Sequence, residues 1–201
     1  MDRIGAMQRP NIPPASATVD YFAYGANLDE RVLEQRQFDF LDRLPAVLRD
    51  FALRFNRRAS RSGLPAGIGF ANIVEQARAA VEGILYTVTF ENLAILDQHE
   101  RAPEHYRRHQ LVVETSAGPC GCEVYRAHPD RVADDLVPPR NYLDHILAAK
   151  DLLSENYWIA LSRQECYRAA CEFCAELTEV LFVEANGVSQ AHCTACGAAA
   201  P

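Results

Sequence analysis

The chain has 201 residues, of which 49% are apolar and 23% charged, and carries a net charge of −7 at neutral pH. That length and apolar content suit one well-buried domain with at most a small appendage. The acidic balance argues against a nucleic-acid binder, whose footprint is a basic face, and no apolar run approaches the length of a membrane span.

Residues 1–18 hold three prolines and no apolar core, so they read as a loose tail rather than a signal peptide. Reduced thiols and a cytoplasmic location are the default expectation. Val19 to Tyr24 then has the composition of a buried strand. It stops at Gly25-Ala26-Asn27, a small-residue turn, and Asp29 stands where a helix cap would stand. A strand that ends in a tight turn and opens a helix points several backbone N–H groups one way. Small side chains let an anion such as a carboxylate or phosphate reach them. Phe51 to Phe55 alternates as a half-buried strand does, and Arg57, Arg58 and Arg61 behind it read as a solvated basic loop.

Gly67 to Ile73 mixes glycine with apolar residues, which predicts a close backbone approach. Val81 to Phe90 is a strong strand with Gly83 inside it, another sign of close approach. Residues 91–99 read as a short helix, and Asp97, His99 and Glu100 cluster at its end. A carboxylate there faces the negative end of the helix dipole, and burial acts in the same sense; both favour a proton-transfer role. On local pattern alone these three groups are ordinary solvated side chains. Tyr106 to Thr115 and Cys120 to Ala127 are two more strands. Pro138-Pro139 opens a helix over 140–153, and a further helix is expected over 162–182. Strands first and helices later favour an α+β fold, here a small curved sheet or mixed barrel with flanking helices and a helical C-terminal extension. The expected divisions are a tail over 1–18, a domain over 19–162 and a C-terminal region over 163–201.

The residues carry a resemblance. Tyr21-Phe22-Ala23-Tyr24-Gly25-Ala26-Asn27-Leu28 resembles the Y-F-A-Y-G-S-N-L motif of the gamma-glutamylcyclotransferase family, also termed AIG2-like. Arg49 to Phe55, Gly69 to Ile73 and Val81 to Tyr86 resemble its following strands. Leu96-Asp97-Gln98-His99-Glu100 resembles the L-D-x-x-E segment that carries the family's catalytic glutamate. Pro138-Pro139-Arg140-Asn141-Tyr142 resembles the stretch that supplies a substrate-contacting tyrosine. The resemblance implies that a gamma-glutamyl amide cyclises to 5-oxoproline and releases an amine. It makes Glu100 the general acid/base and places Tyr21, Phe22, Ala23, Tyr24, Gly25, Ala26, Asn27, Leu28 and Tyr142 at the substrate. It implies a small-molecule substrate and no metal or organic cofactor. A catalytically silent carboxylate-binding module is the alternative on the same fold. Two positions depart from the family: Ala26 replaces a serine, and Arg101 replaces the glycine that follows the glutamate.

The C-terminal region poses a separate question. Cys171-x2-Cys174 and Cys193-x2-Cys196 have the spacing of a four-cysteine zinc site. Cys193-Thr194-Ala195-Cys196-Gly197 looks like a metal-binding knuckle. Cys171 and Cys174 fall in a stretch that reads as helix interior, without a knuckle's tight turn. Small buried apolar residues on a packed helix are therefore the favoured reading of these thiols and of Cys166.

Overall fold

The structure, a computed structural model, describes residues 17–60, 64–185 and 188–199. Most of the expected tail, and Arg61 of the basic cluster, lie outside the described residues. Five strands make a closed barrel: β1 (Thr18–Ala23), β2 (Asp42–Arg58), β3 (Gly69–Thr89), β4 (Tyr106–Thr115) and β5 (Gly118–Ala127), in the order β1-β3-β2-β4-β5. All neighbours are antiparallel except β1 and β5, which close the barrel in parallel at Tyr21 and Glu123. The barrel is therefore mixed, as expected.

The strands at 51–55, 67–73 and 81–90 are parts of one long hairpin. It bends at a bulge where Asp50 and Arg78 both take positive φ, 60° and 65°, and the Arg78 amide donates to Asp50 Oδ1 at 2.8 Å. Such a bulge lets one strand pair serve two parts of a curved wall. Gly83 marks the close approach its position suggests. A Cβ there would lie 2.1 Å from the Ala23 carbonyl oxygen and 2.8 Å from the Phe22 ring, so β1 can seat against β3 only because no side chain intervenes.

The helices lie outside the barrel. Helix α1 (Glu30–Gln35) starts at Asp29, whose carboxylate accepts from the Arg31 amide at 3.0 Å, as the sequence suggests. Helix α2 (Phe90–His99) starts at Thr89, whose hydroxyl accepts from the Asn92 amide at 3.2 Å, and buries Leu93 and Leu96. Helix α3 (Arg140–Leu147) buries Leu143 and Ile146. The helix expected over 140–153 stops at Leu147. A 3-10 turn at Lys150–Leu152 follows, and Ser154 caps a separate α4 (Glu155–Ser162).

The expected helix over 162–182 does not form. That region builds a second, three-stranded antiparallel sheet from β6 (Arg168–Ala170), β7 (Leu177–Ala185) and β8 (Val188–Cys193). Alanine, glutamate and leucine there give helical propensity, but Val180, Phe182 and Val183 are strand formers, and burying Val180 and Phe182 against Ile68 decides the outcome. Among the described residues no helix is long and apolar enough to cross a membrane.

Candidate active site

Strand β1 ends at Ala23, and the chain turns through Tyr24 and Gly25 into a 3-10 turn at Ala26–Leu28. The turn uses the amides of Leu28 and Asp29, which donate to Gly25 and Ala26 carbonyls at 3.0 and 3.1 Å. The amides of Gly25, Ala26 and Asn27 therefore remain outside the turn's own hydrogen bonds among the described residues. Gly25 is required by packing: a Cβ there would sit 3.0 Å from the Tyr142 hydroxyl and 3.4 Å from the Ala71 Cβ. The buried Asn27 ties the turn to the rest of the site. Its Nδ2 donates to the Tyr21 hydroxyl at 2.8 Å and reaches Glu100 Oε1 at 3.4 Å, its Oδ1 accepts from Arg36 at 2.7 Å, and its carbonyl accepts from the Tyr86 hydroxyl at 3.1 Å.

Glu100 is the residue at which α2 ends. The Arg101 amide donates to Gln98 and the Ala102 amide to Asp97, at 3.2 and 2.9 Å, a Schellman closure with Arg101 in the left-handed region at φ 50°. This explains the glycine that the family carries after the glutamate: the position needs positive φ rather than a particular side chain. Arg101 itself is exposed. The closure turns the Glu100 side chain back to the mouth of the barrel, where Oε1 accepts from Arg36 at 2.8 Å. The ion pair is partly covered, with side-chain exposures of 23% and 16%.

Glu100 and the turn share one cleft of about 440 Å3, open mouth included, walled by Tyr21, Tyr24, Tyr106, Tyr125 and Tyr142. The tyrosines are held by the backbone around them. Tyr24 donates to the Tyr125 carbonyl, Tyr106 to the Ala71 carbonyl at 2.7 Å, and the Ala71 amide donates to the Tyr142 hydroxyl at 3.2 Å. Tyr125 donates to Asp97 Oδ1 at 2.8 Å. Burial, with the Glu100 charge adding to it, pushes Tyr21, Tyr24, Tyr106 and Tyr142 above the ordinary phenol range. They are neutral hydrogen-bonding groups at physiological pH.

Of the residues that the sequence offers as substrate contacts, Tyr21, Tyr24, Gly25, Ala26, Asn27 and Tyr142 line this cleft with Glu100. Phe22, Ala23 and Leu28 do not; they lie in the hydrophobic core, Phe22 filling the space beside Gly83. Asp97 holds Tyr125 and Arg108, and His99 lies outside on the Arg36 carbonyl at 3.3 Å.

Several cleft residues escape sequence reasoning. Arg36, Ala71, Tyr106 and Tyr125 carry no local signal that separates them from ordinary helix and strand residues. Arg57 corrects the reading of its cluster as a solvated loop. It packs 4.6 Å over the Phe70 ring and 5.1 Å over the Tyr106 ring, and its Nε donates to the Tyr106 hydroxyl at 3.2 Å. Burial pulls its pKa down, but the Tyr106 hydroxyl and the more distant Glu100 outweigh it, so the guanidinium stays charged inside the cleft wall. The cleft thus combines a carboxylate, two guanidiniums, neutral phenols and a small-residue turn.

A family model described as "Gamma-glutamyl cyclotransferase, AIG2-like" matches residues 21–144. No curated protein matches the chain. Among solved structures, one named gamma-glutamyl cyclotransferase is 24% identical, with a TM-score of 0.63 over 81% of this chain and 95% of that one. YkqA from Bacillus subtilis is 24% identical, with a TM-score of 0.64 over 73% of this chain and 53% of its own. A yeast gamma-glutamyl cyclotransferase specific to glutathione is 15% identical, with a TM-score of 0.54 over 72% and 93%. At these identities the likeness shows the fold.

Proposed function

This chain belongs to the gamma-glutamyl cyclotransferase, AIG2-like family, and on that premise we propose that it cyclises a gamma-glutamyl amide to 5-oxoproline, with Glu100 as general acid/base. The observation that carries this reading is the cleft lined by both Glu100 and the Gly25–Asn27 turn, whose own hydrogen bonds use the amides of Leu28 and Asp29 instead. The substrate's α-ammonium gives a proton to the Glu100 carboxylate. The freed nitrogen attacks the γ-carbonyl carbon of the same molecule, and the new C–N bond closes a five-membered ring with negative charge on the former carbonyl oxygen. That intermediate collapses as the C–N bond to the leaving nitrogen breaks and that nitrogen takes the proton held by Glu100. The ring nitrogen, still carrying two hydrogens after attack, gives one up through the freed Glu100 carboxylate, and the amine departs with it as an ammonium. The products are 5-oxoproline and a free amine, and no external reactant is consumed.

The turn amides suit the substrate's carboxylate or the developing oxyanion, and Arg57 adds a positive charge in the same wall. Tyr24, Tyr106 and Tyr142 shape a narrow space in which the extended amide must fold on itself, so much of the rate enhancement is conformational. Ala26 lacks the family's hydroxyl but keeps its amide. Arg36 holds the Glu100 carboxylate toward the cleft, and protonation of Glu100 during the first step loosens that ion pair.

The test is 5-oxoproline release by purified protein over a panel of gamma-glutamyl amides, read by mass spectrometry. Release from at least one of them supports the reading.

The Arg36–Glu100 ion pair favours one second reading, a silent carboxylate-binding module whose glutamate is fully engaged by its partner. Calorimetric binding of a gamma-glutamyl amide without any turnover across the panel would select it.

A further inference from the structure

The four cysteines set aside as helix residues come together in space. Cys171 and Cys174 lie in a turn between β6 and β7, and Cys193 and Cys196 lie at the end of β8. Their four sulfurs fall within 4.8 Å of one another. The distances across the group are 3.7 Å for Cys171 to Cys196 and 3.8 Å for Cys174 to Cys193. Tetrahedral ligation at a Zn–S bond of about 2.3 Å places sulfurs about 3.8 Å apart. All four thiols are free.

The two halves are built alike. The Ala175 amide donates to the Cys171 carbonyl at 2.8 Å, and the Gly197 amide to the Cys193 carbonyl at 2.9 Å. Each of these residues takes positive φ, 60° for Ala175 and 75° for Gly197, immediately after the second cysteine of its pair. The Cys196 amide donates to Cys193 Sγ at 3.4 Å. Amide-to-sulfur bonds of this kind stabilise thiolates and orient them toward one point.

The sheet that carries them has little core of its own. Among its described side chains Val180, Phe182 and Cys193 are buried, and the first two pack on Ile68 of the barrel segment. So small a unit ordinarily needs a covalent or metal staple.

We propose that Cys171, Cys174, Cys193 and Cys196 bind one zinc ion in a closed structural site. The ion would hold the C-terminal sheet in the shape that docks on α3. There Arg140 clasps Glu179 with bonds of 2.6 and 2.9 Å, and Asn141 exchanges two hydrogen bonds with the Phe182 backbone at 2.9 and 3.2 Å. The next residue is Tyr142, in the cleft wall. The four sulfurs leave no position for a water or substrate, so the ion supports the fold and takes no part in the reaction. This inference does not depend on the activity proposed above.

The experiment is elemental analysis of full-length protein purified without added metal, beside titration of its native thiols. One zinc per chain, released as the four thiols are modified, is the expected result. Protein refolded with cobalt should show the absorption of a tetrahedral thiolate site. Cys196→Ser should lose its zinc to a chelator that leaves the wild type and Cys120→Ser loaded. A chain without stoichiometric zinc, with four reactive thiols or two disulfides in the native protein, overturns the proposal. Iron in place of zinc, visible by colour, overturns the choice of ion. The wild-type measurement decides even where Cys196→Ser does not fold.

Discussion

Arg36 meets Glu100 at 2.8 Å although the two stand 64 residues apart, and both also bond Asn27. Helix α1 and the end of α2 thus meet over the turn that closes β1. One guanidinium fixes both the acid and the turn that faces it.

Arg36→Ala removes that brace and leaves a partly covered carboxylate unpaired. Losing one partner of a fully buried pair costs 3–5 kcal/mol, and with partial exposure the cost here should be about 1–3 kcal/mol. Denaturant unfolding reads the stability loss. Steady-state kinetics should show a lower kcat with a smaller change in KM, because the acid is disoriented while the turn amides remain.

Asn27→Ala deletes the buried side chain that joins Tyr21, Glu100 and Arg36. Leaving such partners unsatisfied costs about 1–3 kcal/mol. Turnover should fall with stability, and Asn27→Asp should not restore it, because a carboxylate cannot donate to Tyr21 and Glu100. Restoration by aspartate would remove Asn27 from the positioning role.

Arg101→Gly tests whether the departure after the glutamate is conformational. Relief of a left-handed L-residue gains about 1–2 kcal/mol, less about 0.5–1 kcal/mol for the flexibility of glycine when unfolded. The net gain of about 0–1.5 kcal/mol leaves Tm unchanged or raises it by up to about 6 °C, with activity unchanged. A large change in KM would instead give the Arg101 side chain a place at the substrate.

The pH dependence has two limbs. Burial raises the Asp29 pKa, but its bonds to Arg31 and His145 outweigh burial and hold it below the ordinary 3.8. The Arg140 hydrogen bonds, opposed by burial, likewise lower Glu179 from 4.5. Groups depressed on folding stabilise fully above their unfolded values, so stability should be lost as pH falls below about 4. The cleft tyrosines are raised on folding, so their contribution is full below about pH 10 and is lost as pH climbs above it. Denaturant midpoints across pH should fall at both ends. In Asp29→Asn the acid limb should be shallower.

The sequence makes the barrel legible because its strands are aromatic, β-branched and punctuated by glycines with steric reasons, Gly25 and Gly83 above all. Glu100 and the Tyr24–Asn27 turn are legible through a short local motif. Arg36, Arg57, Tyr106 and Tyr125 are not, because the closure of the barrel rather than any sequence spacing brings them to one cleft. The C-terminal sheet is hidden for a different reason. Its alanine and glutamate content mimics a helix, while burial on Ile68 and the turns around four cysteines favour strands.

The central claim is that the Glu100 carboxyl moves the proton in ring closure. Glu100→Gln keeps size and hydrogen-bonding reach but cannot take up that proton. Assayed on whichever gamma-glutamyl amide the wild type converts, the variant should bind it with similar affinity and release 5-oxoproline at least about 100-fold more slowly. Release at the wild-type rate would contradict the account.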